Sequence, residues 1–294
     1  MAGETAMTES PQPSLGNFLL GVGAQKAGTT WLHQQLQARA DTDFGVLKEY
    51  HVHDARTVPA LARFRRIEMS LSRPRSWIQP RSWMRQLFIR QPGLYYDYFA
   101  WLLRRPRRNG VNVNLTGDIT PSYAALSADT FQFIQASFQQ RGIAVKPVFL
   151  MRDPIERLIS SQRMKQRKLG QRDAPSEIAA LRRRVRKAPG LRSGYGRTLH
   201  NLEESFGLEH CYLGLYEPLF QPETYAQLCG FLGLPYREPA WEQRVNASAS
   251  NTVIPNDLLA ELGRLLADDV RAVEQLLPDV DLEQHWPTAS RWCR

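Results

Sequence analysis

The sequence predicts one α/β domain with a central, mostly parallel sheet flanked by helices. Apolar runs of strand length alternate with helical patterns from residue 18 to the end, the arrangement that parallel crossover units produce. No internal repeat and no linker-like stretch divides the 294 residues, a length that one large core accommodates. A polar stretch precedes the first apolar run, so a disordered tail over 1–16 and one domain over 17–294 are expected.

The elements follow in order. "FLLGVGA" is a strand that enters a glycine-bearing turn, and "TTWLHQQL" after it has a helical pattern. "DTDFGV" at 41–46 reads as a short second strand ending at "KEYHVHDA", a cluster of charged residues and histidines where open α/β sheets place ligands. From 60 to 110, twelve arginines stand against Glu68 and Asp97. They are interleaved with Trp77, Trp83, Tyr95, Tyr96, Tyr98 and Trp101. The prolines at 74, 80, 92 and 106 break this region into helical pieces whose aromatics need burial; its arginines form solvated helix faces or, in the sharper reading, wall a ligand cleft together with the aromatics.

"VNVNLTGDITPSYAAL" at 111–126 gives a strand, a turn at Thr120 and Pro121, and then a helix through "DTFQFIQASFQQR". "VKPVFLMRDP" at 145–154 is the clearest buried strand, stopping at Arg152, with helical "IERLISSQRMKQRKL" behind it. Between 152 and 197, fourteen Lys or Arg face four acidic residues; such runs form solvated helix faces or anion-binding walls. A helix at 195–206, the strand "CYLGLY" at 211–216, a helix ending in "FLGLPY" and an amphipathic helix over 256–277 complete the chain.

Composition narrows the function classes. With 43% hydrophobic and 23% charged residues the chain is an ordinary globular protein, neither disordered nor membrane-embedded. A net charge of +9 favours anionic partners: a phosphorylated cofactor, an acidic glycan, nucleic acid or an anionic membrane surface. The three cysteines, Cys211, Cys229 and Cys293, are widely spaced and odd in number, which indicates neither a disulfide framework nor a zinc site and suits a reducing compartment. No secretory n-region and no span-length apolar stretch is present, so a soluble, cytoplasmic protein without stable membrane insertion is expected.

The chemistry lies first in "GAQKAGTT". Gly23 and Gly28 have the spacing of a nucleotide triphosphatase loop, but Thr29 stands where that loop has its lysine, and Lys26 sits inside. Between a strand and a helix, the turn amides, the helix N-terminus and the hydroxyls of Thr29 and Thr30 converge on an anion. The plainer alternative is a tight turn that packs helix on strand. A kinase needs its lysine on the β/γ phosphates and an acidic metal holder, and Asp153, flanked by Arg152 and Pro154, imitates that residue poorly.

"GAQKAGTTWL" joined to "VFLMRDPIERLISS" resembles the pair of cofactor motifs of sulfotransferases that use 3'-phosphoadenosine 5'-phosphosulfate (PAPS), about 125 residues apart in the chain. "KEYHVHD", "DITPSYAAL" and "YEPLFQPETYAQLCGFLGLP" extend the likeness to the carbohydrate, heparan-type branch over nearly all the chain after residue 17. The resemblance implies a P-loop-like sulfotransferase fold and release of adenosine 3',5'-bisphosphate with no metal. It gives Gln25, Lys26, Ala27, Gly28, Thr29, Thr30 and Trp31 to the 5'-phosphosulfate, and Arg152 and Ser160 to the 3'-phosphate. Arg244, in "RVNASAS", would add a second cation there. Glu49 takes the position of the general base, with His51 and His53 as competitors, since histidine is the commonest general base. Lys26 would neutralise charge on the leaving phosphate.

One departure stands out: heparan-type members commonly carry lysine immediately before Thr-Pro, and here Ile119 occupies that place. The acceptor is expected to be a glycan or small molecule, with a lipid open as well. Two readings from other classes stay in view: a P-loop kinase acting on a small molecule, and a basic nucleic-acid-binding protein. No nucleic-acid module supports the latter.

Overall fold

The computed structural model describes residues 14–65, 80–106, 110–170, 173–186, 190, 193–242 and 252–294. Five strands, β1 (Gly16–Gly23), β2 (Thr42–Asp43), β3 (Leu115–Ile119), β4 (Ile143–Met151) and β5 (Tyr212–Leu215), form one sheet in the order β2-β3-β1-β4-β5. Every pairing is parallel, with Phe18 opposite Thr116 on one side and Val145 on the other. Central β1 is covered on both faces: Phe18, Leu19, Leu20 and Val22 are all fully buried, which is why the segment reads as a continuous apolar run without alternation. The expected 1–16 tail lies, through residue 13, outside the described residues.

Helices α1 (Thr29–Gln37), α2 (His53–Thr57), α3 (Pro80–Arg90), α4 (Pro92–Arg104), α5 (Ala128–Gln139) and α6 (Pro154–Lys168) accompany the first four strands. They are followed by α7 (Ala174–Val185), α8 (Tyr195–Phe206), α9 (Pro222–Phe231), α10 (Asn256–Leu276), α11 (Leu282–His285) and α12 (Pro287–Trp292). On α10 the buried Leu258, Leu262, Leu266, Val270 and Val273 repeat at helical spacing and face α8, which packs on α5 in turn. Among the described residues no helix is long and apolar enough to cross a membrane.

Two expectations are corrected. The second strand is two residues long, because Asp43 Oδ1 accepts the Gly45 amide at 2.9 Å and Gly45, at φ 68°, turns the chain off the sheet edge. After β3 the chain makes a 3-10 turn over Pro121–Ala125 and Ser127 caps α5, the helix expected through "DTFQFIQASFQQR". Tyr95 and Tyr96 do not wall a cleft: both are buried, and Tyr95 packs with Phe18, Phe99 and Phe138 beneath the sheet. Trp83 and Trp101 are exposed, while Trp77 and Pro74 lie outside the described residues.

Candidate active site

The parallel sheet brings the C-terminal ends of β1 and β4 side by side, at the crevice where the order of connections reverses. Ala24 donates its amide to Leu150 O at 2.6 Å, so the loop after β1 begins against the end of β4. Lys26 at φ 75° and Gly28 at φ 83° give the loop two left-handed bends. The first bond of α1 runs from Leu32 N to Gly28 O at 3.0 Å; the amides of Gly28, Thr29, Thr30 and Trp31 therefore have no carbonyl partner within the helix.

Trp31 contributes to this loop by its amide alone. Its ring is buried against Phe220, Tyr225 and Trp241, because the third position of α1 faces α9 and not the loop. Ala27 is buried with it, and Thr29 nearly so. Thr30 Oγ1 accepts from Lys48 Nζ at 2.7 Å, which ties the loop to the segment that follows β2. Burial lowers the pKa of Lys26, and the charges of Arg167, Arg152 and Lys48 lower it further. Four cations thus converge beside a helix N-terminus.

Arg152 leaves β4 with its guanidinium 4.7 Å from the Tyr216 ring and 3.8 Å from Glu156 Oε2, and its buried Nε has no partner. Ser160 lies two turns along α6 and is buried. Asp153 caps that helix: one oxygen accepts from Ile155 and Glu156 at 3.0 and 3.1 Å and the other from Ala289 at 2.9 Å. Its oxygens are thereby occupied by backbone amides, which removes the carboxylate a kinase reading would have used. Arg244 lies outside the described residues.

Across the loop, Glu49 is paired with Lys48 at 3.0 Å and lies 3.4 Å from His51 Nε2. Burial opposes its ionisation, but the hydrogen bond with His51 and the charge of Lys48 outweigh this and hold its pKa at about 2. His51 Nδ1 is 2.7 Å from Asp54 Oδ2, which also accepts from Ser122 Oγ. Burial disfavours the imidazolium, yet Asp54 and Glu49 together raise the His51 pKa. The ring stacks on Phe64, with centroids 3.8 Å apart. His53 is fully buried among Tyr95, Tyr96 and Tyr123, and burial pushes it down to about 3; it does not reach the loop.

The carbonyls of Glu49 and Tyr50 accept from Arg85, and the Tyr50 amide donates to Asp118 Oδ1 at 3.3 Å and Thr120 Oγ1 at 3.1 Å. Asp54, Ser122, Asp118 and Arg85 went unread in the sequence. The contacts that join them across the fold, Arg85 to Tyr50, Ser122 to His51 and Asp54, and the Tyr50 amide to Asp118, span 35 to 71 residues, too far for any local pattern to signal them.

The fold defined by these elements is a sulfotransferase fold. It aligns with the crystal structure of a sulfotransferase from Alicyclobacillus acidocaldarius at a TM-score of 0.57 and 19% identity, covering 95% of this chain and 99% of that one. The sulfotransferase domain of the Synechococcus PCC 7002 olefin synthase aligns over 94% of this chain and 98% of its own at 17% identity, with a TM-score of 0.45. A sulfotransferase domain from the curacin biosynthetic pathway aligns over 91% and 98% at 17% identity, with a TM-score of 0.44. No family model and no curated protein matches the chain.

Proposed function

We propose that the protein transfers a sulfuryl group from PAPS to an acceptor hydroxyl and releases adenosine 3',5'-bisphosphate. The observation that carries this reading is that the Lys26 loop and Arg152 lie at the adjacent ends of β1 and β4, a pairing that suits two anionic groups of one donor. The orphaned, buried Nε of Arg152 and the clustered cations around Lys26 suit a donor with separated 5' and 3' phosphates better than a linear triphosphate.

PAPS supplies, when bound, a sulfuryl group already activated on its 5'-phosphate. The amides from Gly28 to Trp31, with Lys26, Thr29 and Thr30, hold that phosphosulfate, Gln25 and Ala27 shaping the loop around it. Arg152 and Ser160 hold the 3'-phosphate as a bidentate donor and a hydroxyl, and Arg244 is proposed as a second cation there. Glu49 takes the proton of the acceptor hydroxyl as that oxygen bonds to sulfur. The sulfur–oxygen bond to the phosphate breaks, its electron pair stays on the phosphate, and Lys26 neutralises the charge that develops. These residues supply positioning and charge, the demands of such a transfer.

The acceptor is proposed to be a sugar hydroxyl, on the likeness of the "KEYHVHD" segment to the carbohydrate branch, with a small metabolite or lipid as the next choices. The free state of Cys211, Cys229 and Cys293 agrees with action in the cytoplasm. The test is a thermal-shift titration with adenosine 3',5'-bisphosphate, followed by incubation with radiolabelled PAPS and a panel of glycans, phenols and lipids. A concentration-dependent stabilisation and label transfer are expected. Failure of the bisphosphate to stabilise the protein, or turnover of ATP with magnesium instead, would overturn the reading.

A further inference from the structure

Beside the Glu49–His51 segment lies a second basic cavity that shares only Gln25 with the proposed donor positions. Its volume is about 200 Å³, and its walls include Gln25, Ser122, Arg63, Arg157, Lys165 and Arg184. Neither Lys26, Arg152 nor Ser160 lines it, and among the described residues no Asp or Glu does. On α6 the lining residues Arg157, Ser161 and Lys165 follow one another at intervals of four, a single helix face. At about 30 Å³ per water the space equals roughly seven waters, about the bulk of one monosaccharide ring.

Arg157 forms the inner end. It is 3% exposed, one Nη donates to Ser193 Oγ, and its buried Nε has no partner. Burial lowers its pKa, and Arg152 adds to this against the attraction of Tyr195 and Asp269. Arg184 is lowered by burial and then by Arg157, so these two cations repel each other across the cavity. Lys165 and Arg63 are exposed and stand nearer the mouth. A buried guanidinium N–H without an acceptor is costly, and an anion placed in the cavity would supply the partner that the Arg157 Nε lacks.

The position of the cavity says which anion. Gln25 precedes Lys26 in the loop, and Ser122 Oγ lies 3.3 Å from His51 Nδ1, whose other nitrogen is 3.4 Å from Glu49. A molecule seated here reaches toward the phosphosulfate loop on one wall and the base on the other. We infer that the cavity binds an anionic substituent, a carboxylate or sulfate ester, of the acceptor itself, and that the enzyme selects acidic acceptors. This inference rests on the sulfuryl-transfer reading above and specifies its substrate class.

The test uses the full chain saturated with adenosine 3',5'-bisphosphate, so that the donor positions are filled, and calorimetric titration with two matched pairs. Glucuronate is compared with glucose, and 4-hydroxybenzoate with 4-hydroxybenzyl alcohol. In at least one pair the anion is expected to bind about tenfold tighter than its neutral partner, with the preference falling to near unity in Arg157→Gln. Arg184→Gln and Lys165→Gln, farther from the core, are expected to reduce the preference should the Arg157 variant not fold. Equal binding of anionic and neutral members in both pairs, or a preference that survives the substitutions, overturns the inference while leaving sulfuryl transfer standing. Failure of the bisphosphate itself to bind overturns both.

Discussion

The imidazole of His51 places Nε2 3.4 Å from Glu49 Oε2 while its Nδ1 rests 2.7 Å from Asp54. With both nitrogens engaged and its pKa raised, the ring is suited to hold Glu49 in place rather than to receive a proton itself. Glu49, its side chain 37% exposed, keeps lone pairs open toward the cleft. Glu49→Gln is expected to lower kcat by about 10² to 10⁴, the usual worth of a general base. His51→Ala should cost less, with bisphosphate binding unchanged in both variants by thermal shift. Because Glu49 sits at about 2, it should contribute no acid limb to kcat/KM above about pH 4. The opposite ranking of the two variants would move the base to His51.

Lys26 sets the other side of the profile. Its pKa is lowered by burial and by Arg167, Arg152 and Lys48, and in the proposed transfer only its protonated form would neutralise the leaving phosphate. In the free enzyme, kcat/KM should therefore fall as pH rises through this lowered value, before the 10.5 of an ordinary lysine. Arg167→Gln removes one of the charges that depress it, so the limb should move to higher pH. Lys26→Ala should abolish the limb and reduce kcat about a hundredfold or more, with the bisphosphate still bound. A limb unmoved by Arg167→Gln would assign it to another group.

What the sequence disclosed followed from the range over which each feature is encoded. The helix expected at 195–206 is α8, residue for residue, and the amphipathic helix expected at 256–277 ends one residue earlier, since apolar spacing is a local signal. The junctions at the Gly23–Gly28 loop and at Arg152 were readable because each is a single strand-to-helix turn. The network behind Glu49 was not. Asp54 meets Ser122 across 68 residues, and Tyr50 meets Thr120 across 70, so only the folded chain assembles them. Tyr95 and Tyr96 were misplaced for a related reason: an aromatic cluster among arginines has the same composition whether it lines a cleft or fills a core.

Gly28 holds the cradle open. At φ 83° it adopts a conformation that L side chains rarely take, and a Cβ there would lie 2.6 Å from Leu219 Cδ2 and 3.4 Å from the Tyr216 ring. The leucine tip can yield, so backbone strain should dominate the cost. Gly28→Ala is expected to lose about 1–2 kcal/mol in denaturant unfolding. It should also weaken bisphosphate binding, because relief of the strain turns the amides of the first turn of α1 away from their common focus. Unchanged calorimetric affinity would exclude these amides as the phosphate contacts.

Asp118 anchors the Glu49–His51 segment through the Tyr50 amide. Fully buried, it accepts from Thr120 Oγ1 at 2.6 Å, Tyr123 OH at 2.7 Å, Tyr95 OH at 3.0 Å and the Tyr50 amide at 3.3 Å. Asp118→Asn turns an amide donor toward groups that themselves donate, and should cost about 1–3 kcal/mol. It should also reduce kcat, since the Tyr50 amide positions Glu49 and His51 on either side. The pH dependence has a definite sign. Burial raises Asp118 to about 6 from 3.8, so between these values the folded chain holds a proton that the unfolded chain has lost. Wild-type stability from this group is thus complete at the acid end and declines as pH rises through the window. The asparagine variant has no such slope, and its deficit should shrink from acid toward neutral pH in paired urea titrations. A deficit that grew instead would mean that the four donors, and not burial, govern the carboxylate.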